Sequence, residues 1–155
     1  MALRPERFKL WHSVAGLVVL LIIEALFLAL WPASFVVLVP LFAIAGTAVT
    51  LYVATEIVEE VSGKPKLFAL LTAIIAEFVI FFAFQYHLLG HFDHLAFATL
   101  GSDAVSLLLQ STMVFALNPI DLPTDTAGRL LLLVDTLGSL GLVLFVLQNI
   151  WQLRK

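Results

Sequence analysis

The sequence predicts an all-α membrane protein with four transmembrane helices and a short re-entrant helix between the third and the fourth. Of its 155 residues, 62% are hydrophobic and the mean hydropathy is +1.10, whereas soluble domains are usually about 45–50% apolar. The apolar residues are collected in blocks of about 20, the length that crosses a hydrocarbon core of about 30 Å. We therefore expect an integral membrane protein with almost no soluble part.

Four blocks have the length of a membrane span, and positive charges lie near their ends. We expect the spans at residues 10–31, 34–57, 67–88 and 127–152. Lysine and arginine are enriched on the cytoplasmic side of membrane proteins. With four spans, only Arg129 lies on the outer side, and the other side holds Arg4, Arg7, Lys9, Lys64, Lys66, Arg154 and Lys155. We expect both termini in the cytoplasm and the protein in a bacterial inner (plasma) membrane.

The segment between the third and fourth spans, residues 103–117, is apolar but too short to cross a bilayer. Ser102 and Asp103 are typical residues for the start of a helix, so we expect a helix at 102–114. A membrane segment that does not cross is tolerated only where it is buried in protein or lines a cavity. We therefore expect the functional site here, with loop 115–125 returning to the outer side.

The residues of this segment carry a resemblance to a known family. Residues 111–123 read STMVFALNPIDLP, and residues 124–141 read TDTAGRLLLLVDTLGSLG. They resemble the pore module of bacterial two-helix potassium channels, which typically reads S-T-M-T-T-[LV]-G-Y-G-D-I-x-P and then x-T-x-x-G-R-L-L. Without a gap, the matching positions are Ser111, Thr112, Met113, Pro123, Gly128, Arg129, Leu130 and Leu131. Asp135 falls on the acidic position of the family's inner helix, and Gly138 falls on its glycine.

The resemblance implies a potassium-channel-like fold. Residues 1–62 would be an N-terminal pair of transmembrane helices, and residues 63–155 a channel-like pore module. The parts of that module would be an outer helix at 67–88, a pore helix at 102–114, a filter-like loop at 115–125 and an inner helix at 127–152. The resemblance also implies a homotetramer, because one module supplies a quarter of a pore. Asp135 and Arg129 would brace the loop.

The filter departs from the family. In potassium channels, carbonyl oxygens of this strip replace the hydration shell of the ion, and glycines permit the backbone conformation. Here Leu117 and Pro119 replace the two glycines, and Phe115 replaces the innermost threonine. A non-glycine residue in the left-handed region costs about 1–2 kcal/mol, and proline fixes φ and removes an N–H. We do not expect a potassium filter to form.

Other groups of the loop favour a cation. The C-terminal end of the re-entrant helix carries about half a negative charge, and Asn118 adds an amide. Asp121 and Asp125 would form acidic rings at the outer mouth. Alternatively, these carboxylates are solvated or pair with Arg129 within the subunit. The predicted pore loop comprises Phe115, Ala116, Leu117, Asn118, Pro119 and Asp121.

The last helix carries small and polar residues at spacings of three and four, which places them on one face. Such a face is usually turned away from lipid, so it lines a pore or packs against another helix. The predicted pore-lining residues are Gly138, Ser139, Leu142, Phe145 and Asn149.

Two further groups of polar residues have alternative interpretations. Glu24 and Glu77 are carboxyl groups within apolar blocks. Glu77, near mid-membrane on the third helix, pairs with a polar group on a neighbouring helix or is protonated, and a proton pathway through both glutamates is conceivable. His87, His91 and His94 have a spacing that stacks imidazoles on a helix. Because Gly90 should interrupt the helix there, titrating interfacial histidines are a better expectation than a metal site.

Three functional hypotheses follow. The first is an oligomeric channel that passes monovalent cations, K⁺ or Na⁺, with weak selectivity. The second is a non-conducting membrane scaffold or subunit that keeps the channel fold. The third is a metal-handling protein that uses the outer histidines. We expect no enzyme, no cofactor and no nucleic-acid partner, since no nucleophile–base pair, phosphate loop or cofactor motif is present; membrane lipid and further copies of the chain are the expected partners.

Overall fold

The structure, a computed structural model, describes residues 5–60, 63–94, 96–97 and 99–152. In these ranges the chain forms α1 (Pro5–Leu30), a 3₁₀ turn (Pro32–Ser34), α2 (Phe35–Glu60), α3 (Lys64–Phe92), α4 (Ala104–Phe115) and α5 (Thr126–Gln152). Arg4, Arg154 and Lys155, which contribute to the predicted orientation, lie outside the described residues.

Four of these helices are long and apolar enough to cross a membrane, which confirms the all-α class and the four predicted helices of spanning length. The stretches that meet this condition are Leu10–Leu30, Pro32–Glu59, Pro65–Phe92 and Thr126–Asn149. Helix α4 has 12 residues and is too short to cross, since a span needs about 20.

Most helix ends lie a few residues from the predicted bounds, and two differences are larger in kind. The 3₁₀ turn at Pro32–Ser34 was not expected. The expectation that Gly90 interrupts the third helix is wrong, because α3 continues through it to Phe92. A glycine inside a helix costs only about 1 kcal/mol relative to alanine, and the neighbouring Leu89 is fully buried and anchors this turn.

Helix directions follow from the pairs of residues that touch. Ser13 of α1 contacts Glu77 of α3, and Glu24 contacts Gln85, so α1 and α3 run parallel. Asp135 of α5 contacts Tyr86 of α3, while Gly138, one turn further along α5, lies against Phe78. Helix α5 is therefore antiparallel to α3, as expected for consecutive spans separated by a segment that does not cross.

The centre of the bundle is a group of aromatic rings on α3. The ring centroids of Phe78 and Phe82 lie 4.7 Å apart, and those of Phe81 and Phe82 lie 5.5 Å apart. A Cβ atom at Gly46 of α2 would overlap the Phe81 ring, and one at Gly138 of α5 would lie 2.9 Å from Phe78 Cζ. Small residues therefore let α2 and α5 approach α3 closely, a common device in membrane helix packing.

Helix α4 packs against α3 and α5. The Ser111 hydroxyl donates to the Val79 carbonyl oxygen at 2.9 Å, and the Phe115 ring centroid lies 6.3 Å from that of Phe78. Phe78 is the central residue of the 29-residue α3. The last turn of α4 therefore lies beside the middle of α3.

Candidate functional site

The predicted pore loop begins with a hydrogen-bonded helix ending. Leu117 N donates to the Val114 carbonyl at 2.8 Å, and Asn118 N donates to the Met113 carbonyl at 2.8 Å. These two bonds define a Schellman motif, in which the residue after the C-cap is left-handed and usually glycine. Leu117 fills that position with φ of 59°. The backbone at residues 116–118 thus closes on its own helix, and Ala116, Leu117 and Asn118 are all exposed.

The chain then returns beside α4, held by Gln110. This fully buried side chain accepts hydrogen bonds at Oε1 from Ile120 N at 3.1 Å and from Asp121 N at 3.0 Å. Its Nε2 donates to the Asp121 carbonyl at 2.9 Å. One glutamine therefore satisfies three backbone groups of the return segment. We call α4 together with residues 116–125 the hairpin.

The two loop carboxylates bond within the chain. Asp121 is 7% exposed, and its Oδ2 accepts from Thr99 N at 2.8 Å. Asp125 starts α5, since its oxygens accept from Ala127 N at 3.0 Å and from Gly128 N at 2.9 Å. Capping α5 is a role that was not considered for Asp125. Arg129 is exposed, and its Nε donates to a carbonyl of the loop, that of Pro123, at 3.4 Å.

The start of α4 is capped by Asp103. Its Oδ1 accepts from Val105 N at 3.1 Å and from Ser106 N at 3.0 Å, and its Oδ2 accepts from Ser106 Oγ at 2.6 Å. Hydrogen bonds from the Ser106 hydroxyl and then from its backbone hold the pKa of the exposed Asp103 carboxyl below the ordinary value. A negative charge here also complements the helix N-terminus.

Asp135 lies in a buried polar group that joins α3 to α5. The Tyr86 hydroxyl donates to Asp135 Oδ2 at 2.9 Å, and the Ser139 hydroxyl donates to Oδ1 at 3.3 Å. All three side chains are fully buried. This arrangement ties α5 to α3.

The predicted pore-lining residues lie mostly inside the single chain. Ser139 and Leu142 are fully buried, and Gly138 packs against Phe78 and Thr47. Phe145 is half-buried, and Asn149, also half-buried, donates to the Phe145 carbonyl at 2.8 Å. The polar face of α5 therefore packs against neighbouring helices of the same chain, the alternative that the sequence left open.

The three outer histidines border one cavity. His87, His91 and His94 line a space of about 480 Å³ together with Gly101 and Ser102, between the end of α3 and the start of α4. All three are exposed. Among the described residues, no group of three or more histidine, aspartate or glutamate side chains is close enough together to hold a metal ion.

Two carboxyl groups lie between α1 and α3. Gln85 Nε2 donates to Glu24 Oε2 at 2.7 Å, and Ser13 Oγ donates to Glu77 Oε1 at 2.7 Å. The sequence singled out both glutamates but not their partners. Ser13, Gln85, Tyr86 and Gln110 are buried polar residues whose roles the sequence did not predict. The signal that each offers is a polar residue within an apolar block.

Comparisons of the chain with protein-family models, with curated proteins and with solved structures find no match. The resemblance to potassium channels therefore depends on the sequence motif in residues 111–141 alone.

Proposed function

We propose that this protein is an oligomeric, potassium-channel-like cation channel in which the hairpin re-enters the membrane from the outer side. Equivalent hairpins of several copies, four by analogy with the channel family, would meet around a common axis. The pathway at that axis would pass monovalent cations with little preference for K⁺ over Na⁺.

The depth of the hairpin supports the re-entrant arrangement. The last turn of α4 contacts Val79 and Phe78, and Phe78 in turn packs against Gly138, which is next to the central residue of α5. The end of α4 is thus level with the middle of two helices of spanning length. The chain then turns back and reaches α5 at its first residue, Thr126.

The observation that carries the proposal is the exposed tip of the hairpin. Leu117 is 55% exposed, and Ala116 and Asn118 beside it are exposed as well. Non-helical backbone at membrane depth does not face lipid, and is found only where protein covers it or water fills a cavity. Further copies of the chain, with water at their common axis, would supply both conditions.

The chemistry of the tip favours cations but not potassium selectivity. The negative end of the α4 dipole and the exposed amide of Asn118 would both attract a cation. Leu117, in its Schellman motif, and Pro119 stand where a potassium filter has glycines that let its carbonyl oxygens replace the hydration shell of K⁺, so we expect no such filter. Since Asp121 and Asp125 bond within the chain, acidic rings at the outer mouth are not part of the proposal.

The charges support an orientation with both termini in the cytoplasm of a bacterial inner membrane. Arg7, Lys9 and Lys66 belong to the ends of α1 and α3 that such an orientation places inside. Arg129, in the first turn of α5, would face the outer side, where positive charge is less common but tolerated.

The test is current across a planar bilayer that holds the purified protein, with KCl on one side and NaCl on the other. We expect a reversal potential near zero. In a KCl concentration gradient, the sign of the reversal potential should then show that cations, not anions, carry the current. Asn118→Asp should raise the cation current, while Thr72→Val, on the exposed side of α3, should leave it unchanged. A reversal at the potassium equilibrium potential would show that a potassium filter forms after all.

A second candidate, a non-conducting scaffold that assembles through the same hairpin, is favoured by the surface of α5. Its polar face is buried, and the side chains it exposes are largely leucines, namely Leu130, Leu133, Leu137, Leu140, Leu144 and Leu147. Silence in bilayers that contain verified oligomers would favour the scaffold over the channel.

A further inference from the structure

Glu24 of α1 and Gln85 of α3 form a buried pair with two unpaired oxygens. Both side chains are fully buried, and Gln85 Nε2 donates to Glu24 Oε2 at 2.7 Å. The second oxygen of the carboxyl group, Glu24 Oε1, and the amide oxygen, Gln85 Oε1, are both buried without a hydrogen-bond partner. Buried polar atoms are nearly always paired, so two unpaired atoms on two bonded side chains need a common explanation.

An ionised Glu24 cannot provide that explanation. A carboxylate only accepts hydrogen bonds, and the carbonyl oxygen of glutamine also only accepts. Two acceptors cannot satisfy one another, and an ionised carboxylate without a counter-charge is strongly disfavoured in an apolar interior. A single proton on Glu24 Oε1 changes this, because the protonated atom becomes a donor and Gln85 Oε1 is the unpaired acceptor on the same partner.

We propose that Glu24 and Gln85 form a proton-binding site between α1 and α3, in which a protonated Glu24 pairs with the Gln85 amide through two hydrogen bonds. Gln85 Nε2 donates to Glu24 Oε2, and Glu24 Oε1 donates to Gln85 Oε1. The ligand is one proton, and the pair closes a neutral ring that fixes α1 against α3.

The surroundings offer no other source of neutrality among the described side chains. Helix α2, which also packs on α1, has no titratable residue between Phe35 and Leu51. On α3, Glu77 bonds to Ser13, and Tyr86 bonds to Asp135 of α5. His87 is exposed and lines the cavity beside the start of α4. On α1, the exposed His12 precedes Glu24 by about three turns. Tyr52, Glu56 and Glu59 lie toward the far end of α2.

Glu77 provides a natural comparison within the same interface. Its Oε2 is also buried without a partner, but its side chain is partly exposed and its partner is a serine hydroxyl. It has no amide opposite it that could close a neutral ring. We therefore expect Glu77→Gln to serve as the matched control for Glu24→Gln.

The experiment is infrared spectroscopy of the purified protein in detergent at neutral pH, with ¹³C-labelled glutamate to separate Glu24 from Asp135. We expect a carbonyl band of a protonated carboxylic acid that shifts in D₂O, responds to the label, is lost in Glu24→Gln and persists in Glu77→Gln. Glu24→Gln should keep its thermal stability, since two amides form the same pair of hydrogen bonds. Gln85→Leu should lower stability and shift the band.

Two results would overturn the proposal. One is a wild-type spectrum in which Glu24→Gln removes a carboxylate band instead of a carboxylic acid band. The other is failure of Glu24→Gln to fold while Glu77→Gln folds, because an amide would then be unable to replace the group that is present. Either result leaves the hairpin and its proposed conduction untouched.

Discussion

Leu117 occupies a backbone conformation that glycine adopts more easily. Its φ of 59° belongs to the left-handed region, where the Cβ atom approaches the following carbonyl oxygen. The two hydrogen bonds of the Schellman motif hold it there. From the sequence, Leu117 is unsuitable for a potassium filter. The Schellman motif at the end of α4 was not predicted, because the usual sequence signal for this motif is a glycine at the left-handed position.

Replacing Leu117 with glycine should therefore stabilise the protein. Leu117→Gly removes the strain of a left-handed leucine, and we expect the free energy of unfolding to rise by about 1 kcal/mol. Ala116→Gly is the matched control, because its φ of −80° needs no glycine and the change should lower stability. Thermal unfolding in detergent measures both, and equal effects of the two substitutions would contradict the structural role given to Leu117.

Glycines in contact with the aromatic core should not tolerate a methyl group. Gly138→Ala would place a Cβ 2.9 Å from both Phe78 Cζ and Thr47 Cγ2, and overpacking of this kind costs about 1–3 kcal/mol. Gly141, one turn further along α5, has no atom within 4 Å of such a Cβ. We expect Gly141→Ala to be neutral or slightly stabilising, since alanine is the better helix former. Similar losses at both positions would mean that α5 does not face α3 as described.

At the scale of elements, the hairpin depends on one side chain. Gln110→Leu leaves Ile120 N, Asp121 N and the Asp121 carbonyl without their buried partner. Two of these groups, on Asp121, are buried, and a buried unsatisfied group costs about 1–3 kcal/mol, so we expect a loss of at least about 2 kcal/mol. Gln110→Glu keeps an acceptor for the two N–H groups and should lose less. Protection of these amides from hydrogen exchange gives a local readout, and unchanged exchange in Gln110→Leu would contradict this account.

The start of α4 should make a pH-dependent contribution to stability. Because hydrogen bonds from Ser106 lower the pKa of Asp103 in the folded protein, its contribution is complete above the ordinary pKa and is lost as pH falls through the lowered one. Asp103→Asn keeps an oxygen acceptor but carries no charge. We expect wild type to lose stability relative to Asp103→Asn on acidification, measured by thermal unfolding across the acidic range. Parallel pH profiles would show that the cap charge has no effect.

The elements were easier to predict from the sequence than their contacts. Apolar blocks and the Asp103 cap are local signals, so four helices and the start of α4 could be placed within a few residues. The roles of Gln110 and Gln85 were not predicted. Each is a single polar residue in an apolar block, and its hydrogen-bond partner is brought close only by the fold. The role of the α5 face could not be decided either, since packing and pore lining require the same small residues.

At the scale of the whole molecule, the exposed hairpin tip predicts contact between copies. The chain has no cysteine, so a single introduced thiol reports on one position. Asn118→Cys should cross-link into dimers in membrane vesicles with a short bifunctional thiol reagent, because tips of neighbouring copies would be close. Thr72→Cys, on the exposed side of α3, is the control and should cross-link only at the background rate of random collision. If the two cysteine variants cross-linked equally, and the cross-linking disappeared when the protein was diluted with lipid, tip-to-tip assembly would be excluded.

The buried polar pairs also set an order of events during synthesis. Gln85 follows Glu24 by 61 residues, and Glu77 follows Ser13 by 64. A ribosome adds about 5–20 residues per second, so α1 leaves it about 3–12 s before its partners on α3 exist. The first helix must therefore enter the membrane with Glu24 unpaired. Inserting a charged side chain into the apolar part of a helix is opposed by about 2.5–3.5 kcal/mol. We therefore expect α1 to enter the membrane with Glu24 already protonated and neutral, and α3 to supply the amide partner when it arrives.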